Sequence, residues 1–368
     1  MPSASPPPDS PFLRPIETRW YTDPSVLEDE KSRIFQRAWL LAGWGGQVSQ
    51  PNSYFSVRIL GQSYVISRDG TGQLHATVNV CLHRGTQLVP DHSSGKGTQL
   101  SCPYHGWRYS MSGTLEHITL PEGIPNAARV GCQLRKIHVA ERAGLIWICL
   151  STPDRSIDDY LGHIVDELNP YQLHTLTPIQ RRDFRFPINW KLSLENALDY
   201  YHVSTVHQST VGAHVKTGPT FTARGIHNLQ SLHIAPYGFR KWLDRHCARG
   251  GPYSQSQLDS LHKYYLFPNL ILNVLPYHLT IMQLWPIDAN RCIMRYVFLM
   301  RKGASMIERA RAYATWLASR WILYEDVKIY DLVHNGFHSG EVPLQPLHTQ
   351  ESAIGHFHQS LQDWPSVS

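Results

Sequence analysis

Two short segments of the chain each pair a cysteine with a histidine: Cys81-Leu82-His83-Arg84-Gly85 and Cys102-Pro103-Tyr104-His105-Gly106-Trp107. Two thiolates and two imidazoles can hold zinc in a tetrahedral site, but a zinc finger groups its cysteines together and its histidines together on a helix. Here each segment supplies one of each. That division suits a 2Fe-2S cluster in which both thiolates hold one iron and both imidazoles the other, a ligation that raises the reduction potential above that of an all-thiolate cluster. Gly85, Gly106 and Pro103 fit tight loops whose backbone can come close and aim amides at the cluster sulfurs.

A second set of chemically capable residues runs from Glu195-Asn196 through Asp199 to His202 and His207. On a helix Asp199 and His202, three apart, share a face, so a carboxylate and an imidazole can act together. His207 lies five beyond His202 and would point roughly 140° away in an unbroken helix. A bend or helix end must fall between the two histidines if both are to bind one metal. Alone, the segment also admits two histidines satisfied within a core.

The elements that must position these residues follow from pattern. Asp23-Pro24 offers an N-cap and a first-turn proline, and Val26, Leu27, Ile34 and Phe35 recur at helical spacing, so a helix is expected over about 24–37. From Trp39 to Leu150 short alternating runs, such as Tyr54 to Leu60 and Ser63 to Ser67, are separated by turn clusters like Arg68-Asp69-Gly70-Thr71-Gly72. This predicts a small all-β domain over 39–150 that carries both Cys-His pairs, preceded by an N-terminal segment and helix (1–38). Pro- and Asp-bearing residues 151–158 predict a linker opening a second domain, 151–368. There Leu266–Leu275 and Leu279–Trp285 predict extended segments, Asp288-Ala289-Asn290 a turn, Cys292–Met300 a strand, and 305–334 a long helix. The fold class is therefore α+β, an all-β unit followed by a sheet with a long C-terminal helix.

Composition bounds the function. The 368 residues have room for two domains, and 42% hydrophobic against 17% charged content, with 11 Trp and 18 Tyr, describes a chain able to bury a core. A formal charge of +5 without a run of Lys or Arg gives no reason to invoke nucleic acid. No stretch approaches the ~20 apolar residues of a membrane helix, and Met1–Pro15 is Pro- and Ser-rich with a frayed character. Six cysteines in a chain this long are no disulfide framework, so a cytoplasmic, reducing location is expected. Cys132, Cys149, Cys247 and Cys292 are expected as buried thiols.

The two Cys-His loops resemble those of Rieske proteins, Cys-x-His followed by Cys-x-x-His; the 18 residues between His83 and Cys102 slightly exceed the family's usual count, with Asp91 to Thr98 the place for the extra length. The second segment resembles the mononuclear iron motif of Rieske non-haem iron oxygenases, Glu/Asp-x-x-His-x-x-x-x-His preceded by Glu-Asn. Asn189-Trp190-Lys191, Phe267-Pro268-Asn269-Leu270 and Gly144–Trp147 resemble the same family, which spans about residues 20–360. The resemblance implies that Cys81, His83, Cys102 and His105 hold a Rieske cluster and that His202 and His207 bind Fe(II). It makes Asp199, with Asn196 beside it, the catalytic candidate that links His202 to His105 of a neighbouring chain. A 2-His-1-carboxylate site needs one more acid and leaves positions open for O₂. Asp326 shares its helical face with Ile322, Leu323, Ile329 and Val333, so its carboxylate would point into an apolar interior and need compensation. Asp331, near Lys328 and His334, is read as a solvated charge, and Glu325 stays as the alternative to Asp326.

The family further implies a helix-grip (START-like) catalytic domain and a head-to-tail homotrimer. The chain has neither a dinucleotide-binding glycine turn nor a plant-type ferredoxin cysteine run, so electrons from NAD(P)H must arrive through a separate reductase, with or without a ferredoxin. The expected activity is that of a terminal oxygenase acting on a small molecule. The reading leans slightly to an aromatic ring or aromatic acid; the alternative is hydroxylation or demethylation of a quaternary ammonium compound such as choline or betaine, where an aromatic cage would serve. A Rieske electron carrier without oxygenase activity is the contrasting class, and it would need no Asp199, His202, His207 and Asp326.

Overall fold

The computed structural model describes residues 16–125, 131–212, 218–233, 246, 254–275, 278–342, 344 and 346–365. The chain divides into two compact units, Phe35–Tyr160 with Gln172–Thr175, and the remainder. The expected fray over 1–15 and the thiol of Cys247 lie outside the described residues.

The first unit is all β. Strands β1 (Leu40–Trp44), β10 (Leu145–Cys149) and β9 (His138–Arg142) form one antiparallel sheet. A second runs β4 (Leu74–Val78), β3 (Gln62–Arg68), β2 (Ser53–Ile59), β5 (Ser94–Lys96), and a third joins β6 (Gln99–Ser101), β7 (Arg108–Ser110) and β8 (Leu115–His117). Leu60 and Gly61 turn the β2–β3 hairpin with φ of 48° and 80°, the paired left-handed conformation that matches strand twist. One Cys-His loop leaves β4 and the other joins β6 to β7. Beneath them Val65, Leu88, Leu100, Trp107, Tyr109 and Leu134 form a core that also buries Cys81 and Cys102.

The second unit is α+β. Its seven-stranded antiparallel sheet has the order β11 (Leu176–Phe186), β17 (Arg291–Arg301), β16 (His278–Asp288), β15 (Leu270–Leu275), β14 (Ser260–Leu266), β13 (His227–His233), β12 (Thr220–Arg224). The expected single run Leu266–Leu275 is instead a hairpin that turns at Phe267-Pro268-Asn269. Pro268 has no N–H for a ladder, and its carbonyl accepts from the Tyr265 hydroxyl at 2.9 Å. Near the start of the chain Asp23 caps Pro24–Glu30 through Ser25 N–H (2.8 Å), and the helix widens into a π turn over Lys31–Phe35.

Two helices matter for the site. Asn189 caps Trp190–Leu198 by accepting from Lys191 N–H at 2.9 Å. Met306–His338 opens on a capping box, Ser305 with Glu308, and runs 33 residues, four longer than its apolar pattern indicates at the C-terminal end. Its length, ~50 Å at 1.5 Å per residue, makes it a rigid strut, and the Tyr330 ring meets Phe186 of β11 edge-on at 5.2 Å.

The Trp190–Leu198 helix is anchored by charge. Lys191 Nζ lies 2.7 Å from Glu30 Oε1 with both side chains fully buried, and Trp190 Nε1 donates to Glu30 Oε2 at 2.9 Å. Removing one member of such a pair strands the other charge in a dry interior. Lys191→Met is therefore expected to lower stability by ~3–5 kcal/mol, measured as a fall in the denaturation midpoint; a shift under ~1 kcal/mol would mean the pair is hydrated.

Candidate metal centres

The two Cys-His segments fold into matching turns. Cys81 N–H donates to Thr86 O (2.8 Å) and Gly85 N–H to Cys81 O (3.0 Å), while Cys102 N–H donates to Trp107 O (2.8 Å) and Gly106 N–H to Cys102 O (3.1 Å). Gly85 and Gly106 take φ of +71° and +72°, a conformation that glycine adopts at no steric cost. The turns face each other with His83 Nδ1 and His105 Nδ1 3.1 Å apart. The thiols sit buried at the base and the histidines half-exposed at the tips.

The electrostatics of the base differ between the two thiols. Burial pushes Cys81 up, against the Tyr109 hydroxyl and the His83 amide. At Cys102 burial also opposes ionisation, but the His105 and Tyr104 amides outweigh it and lower the thiol below its ordinary value. Two sulfurs met by backbone amides, and two imidazoles facing through the same nitrogen, are the donor set of a Cys₂His₂-bound 2Fe-2S cluster, and these residues fit it.

Sequence reasoning passed over Tyr109. Its hydroxyl accepts from Leu82 N–H at 3.0 Å and stands 3.3 Å from Cys81 Sγ, so its own hydrogen is free to donate to sulfur. If Cys81 holds the cluster, such a bond would strengthen as the cluster gains negative charge. Hydrogen bonds to charged groups contribute ~1.5–3 kcal/mol, and a difference of ~1 kcal/mol between oxidation states is ~40 mV for one electron. Tyr109→Phe is expected to lower the cluster potential by about that amount while the visible spectrum persists. Voltammetry would detect this, and an unchanged potential would remove Tyr109 from the account.

The second site lies wholly within the second unit. Asp199, His202 and His207 were expected on a helix broken between the histidines; instead the helix ends at Leu198, before Asp199. Asp199 is its extended C-cap, and His202 and His207 flank the single turn Val203–Val206. The Asp199 pairing with His202 therefore spans a helix break and does not rest on a shared helical face. Asp199 Oδ2 is 2.8 Å from His202 Nδ1, and its other oxygen accepts from the Tyr201 amide.

The long helix brings Asp326 to the same point, at 9% exposure. Its Oδ1 is 3.0 Å from His207 Nε2 and 3.4 Å from His202 Nε2, and the two Nε2 atoms are 3.2 Å apart. Among the described residues these three side chains are the one group whose donor atoms converge within 4.8 Å as a metal site requires. Asn196 Nδ2 lies 3.4 Å from Asp326 Oδ1, and Tyr330 donates to Asn196 Oδ1 at 3.2 Å. Asp331 is exposed.

Burial works against the charged form of His202, yet Asp199 and Asp326 overrule it and hold the imidazole at about 9. His207 is raised in the same way by Asp326 and Glu325. Burial would raise Asp326, but His202 and His207 keep it below the ordinary carboxylate range. Two basic nitrogens in contact, facing one carboxylate, demand positive charge between them. A divalent cation supplies it without the repulsion of two adjacent imidazolium protons, so the residues fit a 2-His-1-carboxylate iron. Glu325, the alternative acid, is not at the convergence point; it lies 2.8 Å from the far nitrogen of His207, Nδ1.

Comparison with known proteins agrees with this geometry. Residues 38–128 match the Rieske [2Fe-2S] domain family and residues 173–366 the ring hydroxylating alpha subunit (catalytic domain) family. The chain belongs to the ring-hydroxylating α subunits, the terminal oxygenases of Rieske non-haem iron systems. It is an oxygenase whose cofactors are a Rieske 2Fe-2S cluster and a mononuclear iron, with O₂ as co-substrate and electrons supplied by a reductase.

Among its relatives, the carnitine monooxygenase oxygenase subunit of Escherichia coli (strain K12) is 27% identical, over 94% of this chain and 92% of that one. Chloroplastic choline monooxygenase of Beta vulgaris is 35% identical over 55% of this chain and 46% of its own. A solved quaternary ammonium Rieske monooxygenase, reported in connection with carnitine oxidation by gut microbiota and inter-subunit electron transfer, superposes with a TM-score of 0.81 at 22% identity. It covers 98% of this chain and 99% of its own. Among the described residues no helix is long and apolar enough to cross a membrane.

Proposed function

We propose that the chain hydroxylates a quaternary ammonium or N-methylated compound. Cys81, Cys102, His83 and His105 would hold the cluster, and His202, His207 and Asp326 the mononuclear iron. When bound, the cluster supplies electrons singly and the iron binds O₂; over the cycle R–H, O₂, two electrons and two protons give R–OH and water.

The observation that carries the substrate class is charge. Asp199, Glu325 and Asp326 surround the two imidazoles, whereas Glu351, raised by burial and then by Asp199 and Glu195, is pushed toward its neutral form. Lys263, a cation at the end of the Trp190–Leu198 helix, is committed to Ala197 O at 2.7 Å and to the Tyr200 ring at 4.3 Å. With Asp326 given to the metal, Asp199 and Glu325 leave negative charge beside the imidazoles, which favours a cationic head group over the anion of an aromatic acid. The relatives named above act on carnitine and choline, which supports the same choice over the ring substrate toward which the sequence leans.

Asp199 keeps 15% side-chain exposure beside the exposed Tyr201. It would accept a hydrogen bond from His105 of the partner subunit and carry electrons across the boundary of a head-to-tail trimer.

The test supplies a surrogate reductase and NADH, offers carnitine, choline, betaine and a set of aromatic acids, and identifies products by mass. One added oxygen, or loss of a methyl group as formaldehyde, on an ammonium substrate is expected. Turnover confined to aromatic acids would overturn the proposal.

A further inference from the structure

We infer that Glu325 is the positioning residue of the mononuclear site: it fixes which nitrogen His207 turns to the metal and strengthens that nitrogen as a donor. The inference rests on His202, His207 and Asp326 being the metal donors, as proposed above, and concerns a residue outside that set.

Glu325 and Asp326 are consecutive on the long helix, so their side chains leave it ~100° apart. They nevertheless reach the same imidazole. Asp326 Oδ1 lies 3.0 Å from His207 Nε2, and Glu325 Oε2 lies 2.8 Å from Nδ1. The ring is gripped at opposite edges by one turn of helix. A carboxylate at Nδ1 keeps the hydrogen there and leaves the Nε2 lone pair for a cation.

The carboxylate is itself held. Ser209 Oγ donates to its Oε1 at 2.6 Å and Thr210 Oγ1 to its Oε2 at 2.7 Å. Both hydroxyls come from the turn after His207, which closes on the His207 carbonyl through Thr210 N–H (3.1 Å) and Gly212 N–H (2.8 Å). A Cβ at Gly212 would meet the Val203 and His207 carbonyl oxygens at 2.8 Å, so the turn is as tight as glycine permits. With three donors on its two oxygens and its place at Nδ1, Glu325 lies on the far edge of the ring from the Nε2 atoms where the donors converge. Its place mirrors that of Asp199, which holds Nδ1 of His202 at 2.8 Å. Each histidine thus carries its own carboxylate at the far nitrogen, one from the local turn and one from a helix more than a hundred residues away.

The test uses full-length protein treated with a chelator under conditions that preserve the cluster spectrum, then titrated with Co(II). Outer carboxylates of this kind contribute ~10–100-fold to metal affinity. Glu325→Ala is expected to weaken Co(II) binding by that factor and to alter the Co(II) electron paramagnetic resonance. Glu325→Gln, a neutral acceptor of the same shape, should recover part of the loss but stay ~3-fold or more below wild type. Ser209→Ala and Thr210→Val, which leave the carboxylate on His207, should fall short of the Glu325→Ala effect.

Wild-type affinity in Glu325→Ala would overturn the inference, even if the variant melts earlier. Should that variant not fold, as judged by its cluster spectrum, Glu325→Gln decides alone, and unchanged affinity again overturns it. Asp326→Ala separates the two levels: if it too binds Co(II) normally, the metal-site assignment has failed, whereas normal binding in the Glu325 variants alone removes only the positioning role.

Discussion

Replacing His202 with alanine is expected to abolish oxygenation while the visible spectrum of the iron-sulfur cluster stays at full intensity. The substitution removes one of three converging donors and leaves Asp199 without the imidazole that it holds at 2.8 Å. Loss of an outer partner typically costs ~10–100-fold in activity, so loss of a donor should exceed ~100-fold. All four residues proposed to hold the cluster belong to the other unit, and the hydrogen bonds of their turns are closed within that unit. Bleaching of the cluster band, or turnover within ~10-fold of wild type, would contradict the division of labour proposed here.

The second large effect concerns Asp199→Asn. Asparagine keeps the shape and one acceptor oxygen for His202; as at Glu325, loss of the charge weakens metal binding, so rates are compared per bound mononuclear iron. What goes is the negative charge, together with an acceptor for a hydrogen bond from His105 of the partner subunit. Turnover is expected to fall ~10–100-fold. The fall should appear as slow recovery of the cluster's visible band when O₂ and substrate are mixed with prereduced protein. Recovery at the wild-type rate would show that electrons do not pass by Asp199.

The two turns that carry the Cys-His pairs were legible because each pair lies within four residues and its glycine marks the turn. Asp326 was legible for another reason: a carboxylate on an apolar helical face needs a countercharge, and the structure puts two histidines there. Where the helix ends before Asp199 could not be read. A helix end needs partners for its last carbonyls, and here they are Lys263 Nζ on Ala197 O at 2.7 Å and Gln230 Nε2 on Leu198 O at 2.8 Å. Both come from strands β14 and β13, far along the chain, and only the sheet's pairing aligns them. The place of Glu325 was hidden in the same way: it was weighed as a metal donor, but Ser209 and Thr210, which occupy its oxygens, lie 116 and 115 residues away.

Two unlike iron centres within one chain are the central claim, and iron and acid-labile sulfide counted per chain test it most directly. In full-length protein about three irons and about two sulfides are expected, falling to about two irons with unchanged sulfide in the His202→Ala variant. Two irons in both proteins, or zinc in place of iron, would contradict the account.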